Sequence, residues 1–112
     1  MQKILAELNS RCGWDCVIKS FDGWSLNLFS GTAPEYASPL ATFLGVSYIS
    51  CPTEFSHPQF RVASEAERAD IAHLVPLERE EHVIAIEAET MASLGRYIFF
   101  LVAESAVVAG DT

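Results

Sequence analysis

Residues 14–28 read WDCVIKSFDGWSLNL, two runs suited to strands on either side of Asp22-Gly23. In the second run Trp24, Leu26 and Leu28 alternate with Ser25 and Asn27, the two-residue period of a half-buried strand. An Asp-Gly pair between such runs is a strong hairpin signal, because both central residues of a type I′ turn need positive φ. An antiparallel hairpin therefore anchors the reading of the chain.

Upstream, Ile4, Leu5 and Leu8 fall at helical spacing and Gly13 supplies a terminator, which predicts a short helix over residues 2–10. Downstream, Gly31, Pro34, Ser38 and Pro39 mark a loop over residues 31–39. The stretch from Leu40 or Ala41 to Ser50 is apolar on both faces, as in a central strand, and Pro52 ends it. A loop up to Pro58 then gives way to a short strand over residues 60–63. At Ser64 the period changes. Ser64 and Glu67 form a capping box ahead of Ala66, Ala69, Ile71, Ala72, Leu74 and Val75, so a helix follows until Pro76 stops it. His82 to Ile86, continuing toward Glu89, reads as a strand, and so does Tyr97 to Val102; their proximity suggests a second hairpin. The tail from Ser105 adds a short edge strand or frays.

These elements predict a single α+β domain over residues 1–112. It holds a mostly antiparallel sheet of five or six strands, with two short helices packed on one face. Such a half-closed sheet leaves two edges that few lysines protect, so pairing with a second copy into a homodimer is expected.

The 112 residues are 50% hydrophobic and 20% charged, too apolar for disorder and about one domain in length. Fifteen acids against seven bases give a net charge of -8. Residues 1–56 carry three bases against five acids and residues 57–112 carry four against ten, so the acidity is concentrated in the second half. Seven scattered bases cannot neutralise a run of phosphates, which excludes nucleic acid and anionic membrane as natural partners. The longest apolar run, Tyr97 to Ala103, is seven residues, far short of the ~20 that span a bilayer. Glu7 and Asn9 interrupt the apolar opening before the core of a signal peptide can form. Cys12, Cys16 and Cys51 make an odd count with no framework spacing, which fits reduced thiols and a cytoplasmic protein.

The loop after the apolar strand sets a thiol, Cys51, six residues before an imidazole, His57, with Glu54 between them. These are the residue types of a cysteine nucleophile, its base and an orienting carboxylate. The ordinary alternative is an inert strand-end thiol and a solvent-facing histidine. No ligand spacing links His57, His73 and His82 to the cysteines, so no metal and no cofactor is called for. Glu87 and Glu89 share one face of a strand whose other face carries Ile84 and Ile86, as on a solvated sheet face. Trp24 and Tyr48 are candidates to line a pocket, and Tyr36, in a proline-flanked loop, is a candidate contact residue.

Glu78, Glu80 and Glu81 lie together after Pro76, where no strand or helix period accounts for them. With the net charge, they favour a binding or inhibitory protein that presents an acidic surface, with these three residues and Tyr36 as contacts, to a basic macromolecular partner. In size and charge the chain is similar to the small acidic proteins with which bacteria neutralise toxins, a likeness that covers no specific residues. The competing reading is a small-molecule pocket protein or small enzyme built on Cys51, His57, Trp24 and Tyr48.

Overall fold

A computed structural model of the chain describes residues 1–31, 38–90 and 93–109, the side chains of residues 93 and 94 excepted. Helix α1 (Gln2–Arg11) precedes strands β1 (Asp15–Phe21), β2 (Ser25–Gly31), β3 (Ser38–Leu44), β4 (Tyr48–Ser50) and β5 (Glu54–Val62). Helix α2 (Glu65–Leu74) then leads to β6 (His82–Thr90), β7 (Ser93–Ala103) and β8 (Ser105–Val108). The chain is thus α+β with an antiparallel sheet, and eight strands replace the expected five or six. Among the described residues no helix is long and apolar enough to cross a membrane.

The anchoring hairpin forms, with Val17 opposite Phe29 and Phe21 opposite Leu26. Its turn differs from the expected type. Gly23 takes φ 95°, but Asp22 stays at negative φ and instead accepts the N–H groups of Trp24 (2.9 Å) and Ser25 (2.7 Å) on its carboxylate. A side-chain turn therefore does what two left-handed residues would have done.

The apolar stretch from Leu40 to Ser50 is two strands. Gly45, at φ 65°, breaks it; Glu104 folds so close over Gly45 that an added Cβ would lie 2.6 Å from its carboxylate. The break matters because of the sheet order, β4-β7-β6-β5-β1-β2-β3-β8. The two ends of that order are halves of the same two chain segments: β3 runs into β4 through residues 45–47, and β7 into β8 through Glu104 alone. β3 pairs β8 from Ala41↔Val108 to Leu44↔Ser105, and β4 pairs β7 from Tyr48↔Val102 to Ser50↔Phe100. Between the ladders, Glu104 N–H donates to Leu44 O (2.9 Å) and Ser47 N–H to Val102 O (3.0 Å). Two long bent segments thus pair along their lengths and close the sheet on itself, where a half-closed sheet with two edges was expected.

β5 is also longer than expected. The proposed loop through Pro58 is strand, because Pro58 sits in a bulge: the β5–β6 register shifts between Ser56 and Gln59, and His57 adopts φ 50°. Beyond the bulge β5 has left β1, whose ladder with it spans only Asp15↔Ser56 to Val17↔Glu54. Helix α1 takes the vacated place. The Asn9 amide accepts Phe60 N–H and donates to Phe60 O, both at 2.7 Å, as a neighbouring strand would, while Arg11 Nη1 reaches Ala109 O at 2.8 Å after β8.

The helices lie on opposite faces, a correction to the expectation of one covered face. Ile84, Ile86 and Leu101 point inward with Phe43, Phe55 and Phe60, and Leu5 and Leu8 of α1 complete that core. Their strand neighbours Val83 and Val102 point outward and bury against Ile71 of α2, with Tyr48, Val75, Leu77 and Phe100 around them. Strands covered on both faces at β6 and β7 need apolar side chains at successive positions, which is why those runs lack alternation.

Candidate functional site

The hairpin turn, the bend at Gly45 and Glu104, and the connection from α2 to β6 converge on a cleft of about 330 Å³. It is lined by Trp24, Gly45, Val46, Ser47, Pro76, Glu78, Glu81 and Glu104. Trp24 reaches it from the turn, held by Asp22 and by Val46 N–H donating to Trp24 O (3.1 Å), with 55% of its surface exposed. Glu81 is the fixed wall. It is 9% exposed, accepts Ser47 Oγ–H (2.5 Å) on one oxygen and Glu78 N–H (2.8 Å) on the other. These donors hold its carboxyl below the usual range, the Ser47 hydroxyl first.

Arg68 of α2 secures the wall from behind, donating to Glu81 O (2.9 Å) and Glu78 O (3.4 Å). The Glu78–Glu81 connection is therefore an ordered turn rather than a solvated tether. Glu78 and Glu104 are exposed, and no basic side chain is among the described residues lining the cleft. Three carboxylates and an indole around one concavity suit a cation: charge attracts it and the ring face adds a cation–π contact.

The expected contacts Glu78 and Glu81 meet here with Trp24, the expected pocket residue, whereas Glu80 is exposed and does not line the cleft. Tyr36 lies outside the described residues. Tyr48 packs under α2 with Ile71 and Val83 rather than lining this opening. Glu104 and the bend at residues 45–47 escaped the sequence reading; an isolated acid ending a seven-residue apolar run, and a glycine inside another, were the available signals.

The bulge gathers a second polar group. His57 Nδ1 lies 2.5 Å from Glu89, Trp14 meets its ring edge-on at 5.3 Å, and Arg96 donates to His57 O (3.0 Å) and Glu87 O (2.7 Å). Ser56 donates to Asp15 (2.7 Å) beside it. His57 thus turns to Glu89 and not to Cys51. The Cys51 thiol packs against the inner core, and burial pushes it up to about 11, the reverse of the lowering that activates a nucleophile. Glu54, at the start of β5, is exposed and in register with Val17. Glu87 binds Arg61 Nε at 2.7 Å. Among the described residues no group of three or more His, Cys, Asp or Glu is arranged to hold a metal ion.

No protein-family model, no curated protein and no solved structure matches the chain.

Proposed function

We propose that the protein is a non-enzymatic binding protein that receives a cationic segment of a basic macromolecular partner in the cleft at Trp24. The observation that carries this reading is the convergence of Glu78, Glu81 and Glu104 with an exposed indole on one concavity that has no basic residue among its described lining. Glu81 is pre-set by Ser47 and the Glu78 N–H, so this wall of the cleft needs no further ordering when a partner binds. The alternative enzyme reading at Cys51 and His57 gains no support from a protonated thiol and an imidazole engaged by Glu89. The free thiols Cys12, Cys16 and Cys51 support a cytoplasmic location for this binding role.

The test separates the cleft from net charge. Two double variants remove the same charge: Glu78→Gln with Glu104→Gln in the cleft, and Glu65→Gln with Asp70→Asn on α2. Each is titrated with an oligolysine peptide, read by Trp24 fluorescence in a Trp14→Phe background. The cleft variant should bind roughly ten-fold more weakly at low salt and the α2 variant within about two-fold of the parent. Equal weakening in both would reduce the interaction to bulk charge and remove the cleft.

A further inference from the structure

A second surface, away from the cleft, is set by the backbone of β7. Val102 O accepts from Ser47, on the β4 side, so the even-numbered residues of β7 direct their backbone groups to that side and the odd-numbered ones to β6. β4 ends at Ser50, opposite Phe100. The N–H and C=O of Arg96 and Ile98 therefore face an edge along which no described strand lies. Beside this edge Ile98 is 48% exposed on the outer face. Closure of the sheet pairs Phe100 to Val102 with β4, and Arg96 and Ile98 lie beyond that ladder.

The charge pattern names the occupant. Residues 90–103 contain no acid and one base, Arg96, in a chain that carries fifteen acids. The acids paired with this stretch, Glu87 and Glu89, stand on β6, so two copies of a protein with net charge -8 meet here without setting a carboxylate of one β7 against the other.

We infer that two copies pair antiparallel through this edge of β7, about a two-fold axis at Tyr97. Arg96 of each copy then stands opposite Ile98 of the other, in positions that exchange both backbone hydrogen bonds.

The experiment is sedimentation velocity combined with amide hydrogen exchange from ~1 to ~100 μM protein, on the parent and on Ile98→Lys. Ile98 faces Glu87 within its own chain, so the lysine is accommodated in the monomer while it sets a second cation against Arg96 of the other copy. The parent should sediment at about twice 12.3 kDa at the upper concentration, with the Arg96 and Ile98 amides gaining protection as the dimer fills. Ile98→Lys should stay a monomer with both amides unprotected. A parent that remains monomeric at ~100 μM, a dimer that Ile98→Lys forms equally well, or amides whose exchange ignores concentration would each overturn the pairing.

Discussion

Glu67 shows how one carboxylate joins local and tertiary order. It closes the capping box by accepting Ser64 N–H at 2.8 Å while the Ser64 hydroxyl accepts its own N–H, and it grips Arg61 at 2.7 and 2.9 Å. Arg61 stands on β5 and also binds Glu87 of β6, so the start of α2 is tied to two strands. The guanidinium, more than any other neighbour, lowers the Glu67 carboxyl from 4.5 to about 2. A lowered carboxyl contributes stability that is whole above its ordinary value and is lost as pH falls through the folded-state value. Glu67→Gln should therefore cost about 1–2 kcal/mol near neutral pH, a figure discounted for solvent screening, with the difference from the parent shrinking below pH ~4.5 and closing toward pH ~2. Urea denaturation of both proteins across that range checks it; a constant difference would mean that the ion pair contributes nothing. His82, lowered mainly by burial, works in the same direction, since its protonation at low pH opposes folding.

At the scale of elements, the least ordinary contact is a helix acting as a strand. Asn9 satisfies both backbone groups of Phe60, which is 1% exposed, where β5 has parted from β1. Replacing Asn9 by Leu keeps the bulk but strands a buried donor and acceptor, so a loss of about 2–3 kcal/mol is expected in chemical denaturation. A loss below ~0.5 kcal/mol would show water serving Phe60 equally well. No local pattern announces such a contact, and the same holds for the closure of the sheet. The β1–β2 hairpin, α2 and the β6–β7 pair were legible because period, turn residues and capping box all act within a few positions. β5 was hidden by Pro58, which reads as a break unless a bulge receives it. The halves of Leu40 to Ser50 go to opposite ends of the sheet order, and only the pairing with residues 100–108 reveals that. The side of the sheet each helix covers was also illegible, since Val83 and Ile84 are equally apolar and serve different cores.

For the molecule as a whole, charge was the readable quantity and its arrangement was not. The sequence placed Glu78, Glu81 and Trp24 on the page as separate candidates; folding sets them around one cleft and adds Glu104 from the far end of the chain. The measurement that tests this assembly most directly is a ¹⁵N chemical-shift titration with a lysine-rich peptide at low ionic strength, repeated at high salt. The largest shifts are expected at the Trp24 indole N–H and at the amides of Gly45, Val46, Ser47, Glu78, Glu81 and Glu104, diminishing together as the Debye length contracts from about 10 Å to about 3 Å. Shifts spread evenly over the acidic surface, or centred on the His57 bulge with the cleft silent, would contradict it.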